Sequence, residues 1–156
     1  MIFEKSIGAI VFRKEGDKIF YLLLRCPGKR SRSGYGGYFS FVKGHQERGE
    51  TYTETMVREL KEETGFENVE IIPGFIEKEE YFFRDIYQNK KNPPLIKKQV
   101  VYFLVNSREK KVRVSFEHDD YKWSPYKEAL KLLGFNNDKR ILEKANKHLN
   151  KIDDIN

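Results

Sequence analysis

The chain has 156 residues, of which 35% are charged, 38% hydrophobic and 14% aromatic, with a net charge of +6. That length suits one domain spanning 1–156 with a real core, and the aromatic content excludes a disordered chain. A lone cysteine, Cys26, excludes an intrachain disulfide framework and a cysteine-based zinc site; it reads as a small buried residue in a reducing cytoplasm. Met1–Phe12 does not read as a signal peptide and no apolar run would span a bilayer, so no membrane partner is expected.

Residues 6–13 and 18–25 read as two buried strands, rich in Ile, Val, Phe and Leu, with a turn at Glu15-Gly16-Asp17. Residues 27–37 (PGKRSRSGYGG) read as a mobile, basic surface loop, and 38–42 as a short strand leading to Gly44. Residues 51–64 form the clearest helix. Thr51 and Glu54 make a capping box at its start, and Gly65 suits the left-handed position that ends it. The i, i+3, i+4, i+7 spacing assigns Thr53, Met56, Val57, Leu60 and Thr64 to its buried face. Two strands are expected within 69–84, broken near Pro73-Gly74, followed by a second basic loop at 87–96. Residues 99–106 read as a strong strand and 112–116 as a further one, with a turn at His118-Asp119-Asp120. Ser124-Pro125 opens a helix to Leu133, and Asn137 or Asp138 would cap a last one to about Leu149. The mixture suggests a sheet covered by helices.

Residues 44–66 are the anomaly. They carry Glu47, Glu50, Glu54, Glu59, Glu62 and Glu63 against Arg48, Arg58 and Lys61, a net charge of −3 in a chain whose remainder is +9. With Thr53 as origin, the apolar residues fall within roughly 60°, while Glu59, Glu62 and Glu63 lie at roughly 240°, 180° and 280°. The three carboxylates are therefore expected to share one face, away from the core. Unpaired, they would repel one another; a hard cation relieves that by taking their oxygens as ligands. Ordinary solvation of the three glutamates is the plain alternative.

Gly44, Glu50, Arg58, Glu59, Leu60, Glu62, Glu63, Gly65 and Phe66 fill the pattern G-x5-E-x7-R-E-U-x-E-E-x-G-U, where U is a bulky apolar residue. This resembles the signature of the Nudix hydrolases; Phe66 departs mildly, being aromatic. The resemblance implies an α/β/α sandwich with a mixed β-sheet. It also implies Mg²⁺- or Mn²⁺-dependent hydrolysis of a nucleoside diphosphate linked to another moiety. Carried over to this sequence, Glu59, Glu62, Glu63 and the Gly44 carbonyl bind metal, Glu50 and Arg58 support the site, and Glu59 is one candidate base.

Beyond that signature, Lys43-Gly44-His45 with Glu47 and Gly49-Glu50, Gly74-Phe75 leading to Tyr81, Lys98, and Glu117-His118 with Tyr121 and Trp123 resemble the diadenosine tetraphosphate hydrolases of the family. That likeness makes Glu117 a further metal carboxylate and an alternative base. Lys43, His45 and Lys98 would contact phosphates. Tyr81, and more weakly Tyr87, would stack on adenine. Phe41-Val42 before Lys43 departs from the proline usual there, and the 29–37 loop is unusually basic. RNA 5′-pyrophosphohydrolase activity, sanitation of oxidised nucleoside triphosphates, and a non-catalytic nucleotide sensor are the competing expectations. The partner is a nucleotide or dinucleoside polyphosphate, with RNA possible, and no stretch argues for an oligomer.

Overall fold

A computed structural model describes residues 1–27 and 37–155, with side chains to 152. The basic loop expected at 27–37 lies almost wholly outside the described residues. Seven strands form one mixed sheet: β1 (Ile2–Glu15), β2 (Lys18–Cys26), β3 (Tyr38–Ser40), β4 (Val42–His45), β5 (Val69–Arg84), β6 (Leu95–Ser107) and β7 (Asp120–Pro125). The order is β3-β2-β1-β6-β5; β4 also pairs β1, and β7 also pairs β2. Only β1 and β6 run parallel among these pairings.

Alternation builds two cores. On one face Ile7, Ala9 and Val11 of β1, with Val101, Phe103 and Val105 of β6, meet Met56 and Leu60 of α1 (Tyr52–Thr64). On the other, Ile10, Phe12, Val100, Tyr102 and Leu104 meet Ala129 of α2 (Tyr126–Leu132) and Ile141, Leu142, Ala145 and Leu149 of α3 (Asn136–Ile155). Both sheet faces are covered, giving the expected α/β/α sandwich.

Several local expectations change. The stretch at 38–42 splits at Phe41, because β3 pairs β2 while β4 crosses to β1. Residues 69–84 form one strand. The register shifts between Ile71 and Ile76, where Pro73 has no N–H to donate and Gly74 turns left-handed at φ 82. His148 donates Nε2–H to the Pro73 carbonyl at 3.0 Å and packs edge-on to Phe75, so it closes this bulge. Residues 112–116 are not a strand. Their backbone is committed elsewhere: Arg113 N–H reaches the Thr64 carbonyl at 2.9 Å, and Val112 is buried under α1. Asp138 does not cap α3, which starts two residues earlier; its buried carboxylate accepts from Ser40 Oγ at 2.8 Å. Cys26 is half-buried.

The capping box of α1 is present. Thr51 Oγ1 accepts from Glu54 N–H, Glu54 returns to Thr51 N–H, both at 3.1 Å, and Gly65 ends the helix at φ 82. Its buried face, however, is Thr55, Met56, Glu59, Leu60, Glu63 and Thr64; Thr53 and Val57 are exposed. Taking Thr53 as the origin rotates the wheel wrongly. Two of the three carboxylates point inward, beside the apolar contacts, and only Glu62 faces water.

Candidate active site

The inward turn of α1 sets Glu59 and Glu63 against β4. Gly44 has no side chain there for a steric reason: a Cβ would overlap the Glu59 carboxylate. Glu63 Oε2 accepts the Lys43 backbone N–H at 3.0 Å. Two successive residues of β4 thus seat two carboxylates one helical turn apart.

Arg58 ties this together. Its Nε and Nη2 donate to both oxygens of Glu50 at 2.7 and 3.0 Å, its Nη1 to Glu59 at 2.7 Å and Glu62 at 3.3 Å, and its Nη2 to the His45 carbonyl at 2.9 Å. Glu50 also accepts Glu47 N–H and Thr55 Oγ1–H, so the 45–50 turn is bound to α1 through one carboxylate and one guanidinium. The Arg58 hydrogen bond, then the Glu47 N–H, lower the Glu50 pKa to about 2.

The inner carboxyls behave oppositely. Burial pushes Glu59 up, partly countered by Arg58 and reinforced by Glu62 and Glu117. Burial, then the charge of Glu59, pushes Glu63 up to about 9, against the Lys43 N–H. Arg58 bonds directly to Glu59, whereas Glu63 has only the Lys43 backbone N–H and, more weakly, the charge of the Lys43 ammonium.

Glu63 and Glu117 open onto a cleft of about 790 Å³ whose walls include Lys43, Tyr81, Phe83, Phe116, His118 and Phe135. Glu117 is exposed, on a segment moored by the Arg113 bond, by Asp119 N–H to the Arg25 carbonyl at 3.1 Å and by Arg25 Nη1 to Asp119 at 2.5 Å. Its charge reaches both Glu59 and Glu63. His118 lines the cleft with its pKa lowered to about 4, by burial first and then by Lys43. Lys98 is the register partner of Tyr81 on one side and Glu4 on the other, so it shares their sheet face, which is also that of Lys43 and His45. Neither Lys98 nor His45 lines the cleft itself, and Tyr87 lies outside it, exposed on the turn after β5. Trp123 stacks on Phe66 beneath α1 and is structural.

Two cleft residues were not anticipated. Glu79 and Asp138 are buried at 8% and 2% exposure and, with Tyr81 and Tyr38, surround Lys43. Burial disfavours the Lys43 ammonium, but their charges outweigh it and raise its pKa. The only sequence signal is the position of Glu79, two residues before Tyr81 on the same face of β5.

Two buried glutamates thus lie against a glycine-containing strand of a sheet covered on both faces, beside a cleft with aromatic walls. Residues 3–145 match the NUDIX domain family, and the chain belongs to it. It is 31% identical to the asymmetrical bis(5′-nucleosyl)-tetraphosphatase of Rattus norvegicus over 93% of this chain and 95% of that one. It is 35% identical to an RNA pyrophosphohydrolase from a Nitratiruptor species over 67% of this chain and 70% of that one. A crystal structure of a C. elegans Ap4A hydrolase binary complex superimposes with a TM-score of 0.75 at 26% identity, covering 95% of this chain and 98% of that one. The protein is a Nudix pyrophosphohydrolase, a family that generally uses divalent metal ions.

Proposed function

We propose that this enzyme, one domain across 1–156 acting in the cytoplasm, hydrolyses diadenosine tetraphosphate to ATP and AMP with Mg²⁺, or Mn²⁺ in its place. The observation that carries the reading is the cleft that joins the Glu63–Glu117 end to Tyr81. It is wide enough for a nucleotide, apolar on its walls and charged at its hydrolytic end. The likeness to the rat and nematode enzymes extends over nearly the whole chain.

The oxygen donors present fit a hard cation: Glu59 and Glu63 are buried carboxyls whose charge is under-compensated. Among the described residues no three Asp, Glu, His or Cys side chains already converge on one point. Glu62 and Glu117, both exposed, complete the set, with the Gly44 carbonyl. Bound there, the metal neutralises phosphate oxygens and lowers the pKa of water. Arg58 and Glu50 hold the carboxylates in place. Glu117 or Glu59 accepts the proton of the attacking water. Lys43, drawn from Asp138 and Glu79, meets the phosphate chain together with His45 and Lys98. Tyr81 stacks on one adenine, with Tyr87 reaching in only if its turn moves.

The similarity to an RNA pyrophosphohydrolase and the +6 charge support a second reading, in which the same centre acts on RNA 5′ ends. Offering diadenosine tetraphosphate, 5′-triphosphate RNA and 8-oxo-dGTP with Mg²⁺ separates them. The highest kcat/KM is expected on diadenosine tetraphosphate; a clear preference for either alternative overturns the assignment.

A further inference from the structure

Phe116 belongs to neither hydrophobic core and is 82% exposed, more than any other large apolar side chain among the described residues. It nevertheless lines the same cleft as Tyr81, Lys43 and Glu63. Its backbone is fixed. The Ser115 carbonyl accepts His118 N–H at 3.1 Å, which makes Phe116 and Glu117 the two central residues of one tight turn, and Ser115 Oγ accepts Glu117 N–H at 3.4 Å. The moorings at Arg113 and Asp119 hold that turn from both sides. Turns favour Gly, Asn, Asp or Ser, whose conformation or side chain supports the bend. Phenylalanine supplies neither, and a ring left in water forgoes the gain of burying it. A singly exposed apolar residue is ordinary on a protein surface. Phe116 differs in what it adjoins: Glu117, at the hydrolytic end of a cleft with aromatic walls.

We propose that Phe116 is the stacking platform for the second nucleoside of a dinucleoside polyphosphate, at the Glu117 end of the cleft, while the first lies against Tyr81. This rests on the cleft being the nucleotide site and deepens that reading by naming where the other end of the substrate binds. A dinucleoside polyphosphate carries a base at each end of its phosphate chain, and Tyr81 can serve only one of them. The shared turn couples the two roles at its tip. The backbone that presents the Glu117 carboxylate to the hydrolytic centre presents the Phe116 ring beside it, so the ring is held next to the phosphate chain. Stacking uses the π-face, which every base has, so the platform accepts any base and needs no polar partner.

The test compares a substrate with two nucleosides against one with a single nucleoside and the same phosphate chain. Non-hydrolysable, methylene-bridged analogues of diadenosine tetraphosphate and of adenosine 5′-tetraphosphate are titrated onto Mg²⁺-loaded wild type, Phe116→Ala and Phe116→Trp, and kcat is then measured on diadenosine tetraphosphate. Phe116→Ala should weaken the dinucleoside analogue by roughly 5- to 100-fold, the scale of one base stacked on one ring, and leave the mononucleoside analogue within about 2-fold. Phe116→Trp, which keeps a stacking ring, should bind both as wild type does. In all three proteins kcat at saturation should stay within about 3-fold, because Glu117 remains on its turn and stacking contributes to binding and not to chemistry. A Phe116→Ala variant that binds both analogues as wild type does, weakens both alike, or loses kcat in step with affinity overturns the proposal. Should 5′-triphosphate RNA prove the better substrate while Phe116→Ala still weakens only the dinucleoside analogue, the substrate assignment fails and this inference stands.

Discussion

The carboxylate of Glu59 fills the space where Gly44 would otherwise carry its Cβ. A strand residue and a helix residue fifteen positions apart are fitted to each other by the absence of one carbon atom. Gly44 does not adopt a left-handed φ, so its requirement is space and not backbone conformation. Gly44→Ala is accordingly expected to fold with near wild-type secondary structure. It should push Glu59 off the strand and lower kcat by about 100-fold, the scale of a misplacement near 1 Å. Circular dichroism alongside steady-state kinetics checks this.

Arg58 is expected to resist replacement by lysine. It makes five directed bonds, two of them to one carboxylate, and a lysine ammonium cannot reproduce that fork. Arg58→Lys should weaken Mg²⁺ affinity or activity by roughly 10- to 100-fold, as loss of a ligand-orienting partner does. Isothermal titration with Mg²⁺ reads it directly.

The inner carboxyls make metal-free stability depend on pH with an unusual sign. The Glu63 pKa rises from 4.5 to about 9 on folding, so the folded protein holds a proton that the unfolded chain has released. Its contribution to stability is complete below pH 4.5 and declines as pH rises toward 9, by at most about 1.4 kcal/mol per pH unit. Glu50 works the other way: with its pKa lowered to about 2, its contribution is present above pH 4.5 and lost as pH falls. Thermal melts of EDTA-treated protein between pH 5 and pH 9 should show a falling Tm, restored by Mg²⁺. Glu63→Gln should flatten that slope in EDTA and remove the rescue.

Glu59 and Glu117 differ in a way kinetics can resolve. Glu59 is 9% exposed and bonded to Arg58, whereas Glu117 is exposed at the cleft mouth with no strand to hold it. If Glu117 is the base, Glu117→Gln lowers kcat by about 100-fold or more and flattens the acid limb of the pH–rate profile with KM little changed. If Glu59 is, that behaviour belongs to Glu59→Gln.

Much of the architecture was legible because periodicity and capping are local. The capping box, the Gly65 stop and the alternation of β1 and β6 follow from neighbouring residues alone. The face of α1 was not, since threonine at 53 and valine at 57 mimic an apolar stripe that water in fact covers. What turns the helix is a tertiary contact, Glu59 over Gly44 and Glu63 on the Lys43 N–H, and no helical wheel contains β4. The same holds for residues 112–116, whose strand-like composition yields to hydrogen bonding with the end of α1. Glu79 and Asp138 come together from elements nearly sixty residues apart, a pairing that appears only once α3 is laid on β5.

The most direct test of the hydrolytic centre is the product analysis of diadenosine tetraphosphate incubated with Mg²⁺ and either wild type or Glu63→Gln. Wild type is predicted to release ATP and AMP in equal amounts, with a rate at least about 1,000-fold above that of the variant. Release of ADP alone, or an undiminished rate in Glu63→Gln, would contradict the account.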